Sequence, residues 1–294
     1  MTYSEYAAAP ALSPIVECVW TLDGDARELA GTQPVLPDGR PEIILHLGDP
    51  FDRIEGGRRE RQPAMIFAGQ LLAPLDLRAT ARVSVVGIRL QPYGAAAVLA
   101  APQHDLVGQT LEVAALSRPL ARALDEIRVR VHRGGHAAQI VHAVLSAHAN
   151  VGRIDRRVSA AVDRIRRDRG LVTVDALATQ LGLTPRQLER RFRHAVGISP
   201  KRLARITRFQ RALRMFEQID SPQRGTHTAA ACGYADQAHF IRDFCEFAGC
   251  APGAHLLRRA ELNGFFSSGA FLSGPSTLLR AGRSPDPSRS TPRP

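Results

Sequence analysis

The sequence has few cysteines, a single lysine and no long apolar run. Its four cysteines, Cys18, Cys232, Cys245 and Cys250, are scattered over 294 residues. No two are spaced C-x-x-C, and no histidine cluster follows them at zinc-site spacing, which removes the usual metal and redox signatures. They read as reduced thiols in small core gaps; the sharper alternative is a redox pair of Cys245 and Cys250. No stretch approaches the roughly 18 consecutive apolar residues that a membrane span needs. Met1 to Pro10 lacks the basic-then-apolar layout of a signal peptide. These absences predict a soluble, cytoplasmic protein without a membrane partner. The length suggests two domains, large enough to hold a core without metal or disulfide staples.

Lys201 is the only lysine among 39 basic residues, and the net charge is +11. That charge is unevenly placed. Residues 1–152 carry 14 Arg against 16 Asp and Glu, a balance of −2. Residues 153–262 carry 21 basic against 11 acidic residues, a balance of +10, and 263–294 add +3. A near-neutral region followed by a strongly basic one points to a polyanion partner for the second. Arginine's forked donors suit phosphate and guanine edges, although GC-rich coding also produces Arg-, Ala- and Pro-rich chains.

Within residues 1–100, apolar runs alternate with Pro, Gly and Asp clusters: Val16–Leu22, Ile43–Leu47, Met65–Phe67, Leu71–Leu77 and Val83–Leu90. That rhythm predicts a mainly-β domain of barrel or sandwich type, cupin-like among the options. Ala95–Ala100 can begin a short helix. Arg118–Arg133 places Leu120, Leu124, Ile127 and Val131 on one helical stripe. Gly134-Gly135 breaks it, and His136–Ala149 is a second helix with Ile140, Val144 and Leu145 inward. This pair suits a dimer contact, a brace between domains, or plain core. From Asn263 onward Gly, Ser, Pro and Arg dominate, so 263–294 reads as a disordered tail. Phe265, Phe266 and Phe271 at its start have no assigned place. The fold class is therefore α+β, with domains at 1–150 and 153–262.

The basic region is helical throughout. Val158, Ala161, Val162 and Ile165 form one apolar face, and Gly170 ends that helix. Next, Val174, Leu177, Ala178 and Leu181 make a short helix. Gly182 suits a tight turn, and small Ala178 permits a close crossing. Thr184 can cap a second helix with Pro185 at its first position. Leu188, Phe192 and Val196 face the core. Outward stand Arg186, Glu189, Arg190 and Arg193, with Gln187 beside them, the face a recognition helix inserts into a major groove. The competing reading is a solvated charged face, but cap, glycine turn and small-residue position occur together here.

A long helix from Pro200 to about Ile219 follows, with Leu203, Ile206, Leu213 and Phe216 on one side. At about 1.5 Å per residue it spans roughly 30 Å, close to the roughly 34 Å between successive major-groove faces. A second unit then runs from His227, with Gly233 at its turn and Asp236 at its cap. Phe240 and Phe244 repeat the spacing of Leu188 and Phe192. Gln237, Ala238, Ile241 and Arg242 are its outward residues.

The run Gly233-Tyr234-Ala235-Asp236-Gln237-Ala238-His239-Phe240, followed by Arg242, Phe244, Gly249 and Pro252, resembles the signature of AraC-type regulators. The first unit, ending Gly197-Ile198-Ser199-Pro200, resembles that family's first helix-turn-helix. The resemblance implies that Arg186, Glu189 and Arg190, then Gln237, Ala238 and Arg242, lie where family members contact DNA. There are departures. Thr228 stands where a larger aliphatic residue usually anchors the second unit, Gly225 loosens the same helix, and His255 replaces a usual tyrosine. They predict a less rigid second head that reads few bases or mainly holds phosphates. Upstream, Val35–Gly39, Glu42–Pro50, Phe67–Gln70 and Val86–Gly94 resemble an uncharacterised domain often attached ahead of AraC-type DNA-binding regions. That implies a sensor or dimerisation role.

Glu42, Ile44 and His46 alternate, so Glu42 and His46 share a strand face. A metal or ligand site is the sharp reading; a hydrogen-bonded core histidine is the plain one. Arg89 in an apolar strand demands a partner, with Asp38 and Glu42 as candidates for an ion pair or an anionic-ligand clamp. The expected function is a sequence-specific transcription regulator with no catalytic residues, cofactor or metal. Its expected partners are double-stranded DNA, RNA polymerase, a small-molecule effector and a second copy of the chain. The alternatives are a non-specific architectural DNA binder, a purely dimerising N-terminal domain, and an enzyme that uses Glu42, His46 and Arg89. No Ser-His-Asp order, phosphate loop or paired-carboxylate motif favours the enzyme.

Overall fold

Ten strands and eleven helices account for most of residues 1–29 and 31–261, which the computed structural model describes. The 263–294 tail, with Phe265, Phe266 and Phe271, lies outside the described residues. The strands are β1 (Thr2–Ala7), β2 (Val16–Asp25), β3 (Gln33–Val35), β4 (Glu42–His46), β5 (Asp52–Glu55), β6 (Arg58–Arg61), β7 (Met65–Ala68), β8 (Leu75–Arg78), β9 (Arg82–Leu90) and β10 (Thr110–Glu112). They form two antiparallel sheets, ordered β1-β2-β9-β4-β7-β10 and β3-β8-β5-β6. The mainly-β N-terminal region is thus a two-sheet structure. Strands β1, β5 and β6 have no apolar run to announce them, since their sequences are TYSEYA, DRIE and RRER. The apolar run at Leu71–Leu77 pairs only from Leu75.

The six-stranded sheet is covered on both faces. Val19, Ile43, Leu45, Phe67, Val86, Ile88 and Leu90 point into one core. Cys18, Trp20, Leu22, Val83 and Val85 point to the opposite side. A sheet buried on both faces explains why β9 is almost continuously apolar instead of alternating. Gly87 lies opposite Trp20 in the β2–β9 ladder. A Cβ there would lie 1.9 Å from Trp20 Cε2, so the indole rests on bare backbone.

Short helices α1 (Ala95–Val98) and α2 (Val113–Leu116) precede α3 (Arg118–His132) and α4 (Ala137–His148). Leu120, Leu124 and Ile127 of α3, with Ile140, Val144 and Leu145 of α4, join the Val19–Leu90 core. Of the three roles open to this helical pair, core is the one the packing displays. Seven further helices follow among the described residues: α5 (Arg156–Arg167), α6 (Val174–Gln180), α7 (Pro185–Val196), α8 (Pro200–Gln218), α9 (Arg224–Ala231), α10 (Gln237–Ala248) and α11 (Pro252–Glu261). Their common core centres on Phe192, Phe209, Phe240, Phe244 and Phe247. Helix α8 buries Phe209 and Ala212 as well as Leu203, Ile206, Leu213 and Phe216, so it is covered over more of its surface than one stripe.

Leu36 and Tyr93, from the β region, belong to that helical core. Gln210 Nε2 on α8 donates to the Pro37 carbonyl at 2.6 Å, fully buried. Gly39 holds φ +79°, and a Cβ on it would lie 2.6 Å from Leu203 Cδ1. The turn at Pro37-Asp38-Gly39 is therefore closed down onto the long helix. Glycine suits it twice, by conformation and by lack of bulk.

Candidate DNA interface and the buried ion cluster

From α5 to α10 every helix except α9 begins on a side-chain cap, which fixes where its outward residues stand. Asp155 accepts from the Arg157 and Val158 amides at the start of α5, and its other oxygen accepts from Arg191 Nη1 of α7 at 2.8 Å. Gly182 turns at φ +63° between α6 and α7. Thr184 and Gln187 close a reciprocal capping box. Thr184 Oγ1 accepts from the Gln187 amide at 3.2 Å, while Gln187 Oε1 accepts from the Thr184 amide at 2.9 Å. Gln187, expected to face DNA, thus has its side-chain oxygen engaged in the cap. Arg186, Arg190 and Arg193 are exposed and Glu189 is half-buried, with Arg193 Nε 3.5 Å from Glu189 Oε1. Leu188, Phe192 and Val196 on the opposite side are buried.

The second head repeats this plan. Asp236 caps α10 by accepting from the His239 amide at 2.6 Å. Ala238, Ile241 and Arg242 are exposed. Gln237 is exposed too, but its Oε1 accepts from Thr226 Oγ1 at 3.0 Å, which ties it to α9. Behind α10, Asp243 is almost fully buried and accepts from Arg205 Nη2 at 2.7 Å and Arg208 Nη2 at 3.3 Å. Glu246 pairs with Arg202 and Arg205, and Arg208 lies over the Tyr234 ring, 4.5 Å from its centroid. These arginines of α8 fasten the second head, and sequence periodicity alone does not separate them from exposed ones.

The departures in this head differ in consequence. Thr228 is fully buried and its Oγ1 has no hydrogen-bond partner, so the hydroxyl weakens the anchor. His255 is buried instead of dangling. Its Nε2 lies 3.0 Å from Glu217 Oε1, and its ring meets Phe244 edge-on. That contact ties α11 to α8. Cys18 and Cys232 are buried, Cys250 is half-buried and Cys245 exposed; all four are free thiols.

In the β region, strand register lines up Cys18, Arg89, Glu42, Ala68 and Thr110 across five strands. Arg89, 5% exposed, donates from Nε to Glu42 Oε1 at 2.8 Å. Asp38 lies 4.0 Å away and Glu5, which the sequence did not suggest, 3.9 Å. Trp20 Nε1 also donates to Glu42 Oε1, at 3.3 Å. His46 stands apart, opposite Val85 and four residues from Glu42, packed edge-on against Phe51. Burial lowers its pKa to about 4, with Gln62 partly opposing, so the ring is neutral near pH 7. Among the described residues no group of three or more His, Cys, Asp or Glu is placed to hold a metal.

Glu17 links the two regions. Arg40 Nε donates to it at 2.7 Å, and Arg166 Nη2 of α5 at 2.8 Å. Burial opposes ionisation of this carboxyl, but the two guanidiniums outweigh it and hold the pKa at about 2.

Two helical pairs, each with a side-chain-capped second helix, at the ends of one long helix define a double helix-turn-helix protein. Residues 177–258 match a helix-turn-helix domain family, and residues 4–112 match a domain of unknown function, DUF6597. The chain thus carries a helix-turn-helix domain behind that N-terminal domain. A probable AraC family transcriptional regulator from Rhodopseudomonas palustris is 26% identical and aligns over 35% of this chain and 97% of its own, with TM-score 0.32. The DNA-binding domain of the global transcriptional factor AdpA, solved with a target DNA, is 23% identical over 36% of this chain and 96% of its own, with TM-score 0.33. ToxT from Vibrio cholerae is 8% identical but aligns over 90% of this chain and 100% of its own, with TM-score 0.45. No curated protein matches the chain. No helix among the described residues is long and apolar enough to cross a membrane.

Proposed function

We propose that the protein is a sequence-specific transcription regulator that reads two successive major-groove segments under control of its N-terminal domain. One observation carries this reading. Two side-chain-capped helices, α7 and α10, present exposed Arg186 and Arg190, and Ala238, Ile241 and Arg242, on either side of the 19-residue α8. That helix is about 28 Å long, a connector suited to heads set about one DNA turn apart. The basic excess lies in the same region. Glu42 and Arg89, which an enzymatic reading would need, are engaged with each other, so we propose a regulator and not an enzyme. RNA polymerase and a second copy of the chain are candidate partners on this reading.

Selection of bound fragments from the host genome tests it. The expected outcome is a bipartite site whose two halves lie about 10 base pairs apart. A salt titration against selected and random DNA should show a specific affinity at least about 10³-fold tighter. Equal affinity for both DNAs would establish a phosphate-only binder instead. Arg190→Ala should relax preference at one position and weaken the selected site by about 1–3 kcal/mol; a uniform loss across all sequences would remove Arg190 from base reading.

A further inference from the structure

The two sheets enclose a cavity of about 90 Å³. Its walls are mostly apolar, with Trp20, Ile44, Phe51, Ile66 and Val85 among them, and Asp38, Arg40, Glu42, Arg89 and Thr110 supply the polar atoms. We propose that this cavity binds a small, mainly apolar amine, and that its occupancy is transmitted to α8 and the second head through two wall segments, 35–40 and 71–77. The transmission half rests on the regulator reading above; the binding half does not.

The ligand class follows from which polar atoms are already engaged. Arg89 is held by Glu42 and Arg40 by Glu17, at 2.8 and 2.7 Å. Asp38 Oδ1 accepts from the Arg40 amide at 3.0 Å, but its Oδ2 has looser ties, 3.7 Å from Arg40 and 4.0 Å from Arg89. Glu5, Glu17, Asp38 and Glu42 thus face Arg40, Arg89 and Arg166, four carboxylates against three guanidiniums. An incoming carboxylate would meet an excess of its own sign, whereas an ammonium balances it. Thr110 Oγ1, buried with no partner, is a further polar atom on the wall that a donor group can satisfy. The apolar remainder of the wall suits a hydrocarbon body about as large as one ring.

The route follows from what lies behind the walls. On the first segment, Val35, Leu36, Asp38 and Arg40 line the cavity. Leu36 also sits in the helical core, the Pro37 carbonyl accepts from Gln210, and Gly39 abuts Leu203. On the second segment, Leu71, Leu75 and Leu77 line the cavity. The Leu72 carbonyl accepts from Arg202 Nη2 at 2.9 Å, and Arg202 also pairs with Glu246 of α10. Pro74 abuts Gly249 at the end of α10, and Asp76 accepts from Arg258 of α11 at 2.8 Å. The first head is held elsewhere, through Arg166 to Glu17 and Gln91, and through Gly197 against Gln103. A ligand that displaces either wall therefore moves the connector and the second head relative to the first.

The test uses the full chain with benzylamine, benzyl alcohol and benzoate, three probes with one hydrocarbon body and different head groups. Benzylamine at about ten times its Kd should raise the melting midpoint by about 3–5 °C, with benzyl alcohol weaker and benzoate inert. Ala68→Leu, which fills the cavity beside Thr110, should abolish the shift while melting cooperatively itself. A shift with benzoate as large as with benzylamine, a shift surviving Ala68→Leu, or none with any probe overturns the binding proposal. For the route, benzylamine should change affinity for the selected DNA site at least about threefold. Arg202→Ala with Gln210→Ala should erase that change while the melting shift persists. Benzylamine binding with no change in DNA affinity overturns the route alone. Absence of any specific DNA site instead overturns the regulator reading, independently of the melting shift.

Discussion

Replacing Thr228 by valine should stabilise the second head. The residue is fully buried on α9, and its hydroxyl oxygen has no hydrogen-bond partner. A buried polar group left unsatisfied costs about 1–3 kcal/mol. Valine has nearly the same shape, is β-branched like threonine and close to it in helix propensity, so neither packing nor helix preference offsets the change. We expect a gain of about 1 kcal/mol, local to α9 and α10. A single global midpoint averages over the whole chain and would blur the effect. Amide hydrogen exchange isolates it: the slowest amides of α9 and α10 should exchange about fivefold more slowly, with α6 and α7 unchanged. A destabilised variant, with faster exchange in the same helices, would refute the reasoning by showing that the hydroxyl has a partner. On the proposed regulator reading, tighter binding to the half-site assigned to α10 should accompany the gain, since a stiffer head loses less freedom on binding.

Glu17 makes the contact between the domains acid-sensitive. Its pKa falls from an ordinary 4.5 to about 2 on folding, so its contribution of about 3 kcal/mol is fully present above pH 4.5 and is lost as pH falls toward 2. Glu17→Gln should flatten the melting midpoint across that window; an unchanged profile would exclude the Arg40–Glu17–Arg166 link as its source. Gly39→Ala forces a side chain into a left-handed backbone, costing about 1–2 kcal/mol, and pushes against Leu203. Limited proteolysis should then separate 1–150 from the helical domain faster than in the parent. Glu42→Ala leaves Arg89 buried without its nearest carboxylate and should cost about 3–5 kcal/mol. Glu42→Gln, which keeps an acceptor for Arg89 and Trp20, should cost clearly less in the same urea titration.

Periodicity, caps and glycine turns make the double unit legible in the sequence, because helix signals are local. Thr184, Pro185, Gly182 and Leu188 lie within seven residues of one another and each constrains the same short segment. The β region was legible only where an apolar run marked a strand. Polar edges such as Arg58–Arg61 give no such mark, and their pairing depends on a partner far along the chain. For Arg89, burial and the demand for a carboxylate followed from chemistry, and Glu42 was among the candidates. Glu5, 84 residues earlier, entered only through the register of β1, β2 and β9.

By itself, then, the sequence determined that a basic helical domain with two capped, arginine-bearing heads follows a strand-rich one. Spacing of three and four, capping hydroxyls and charge balance are properties of short segments. Tertiary structure alone decided which arginines stand exposed and which fasten α8 to α10. It also decided that the turn at Pro37-Asp38-Gly39 is both a cavity wall and a contact on the long helix. Those assignments depend on which side chains meet across 30 to 170 residues, and no local pattern encodes that.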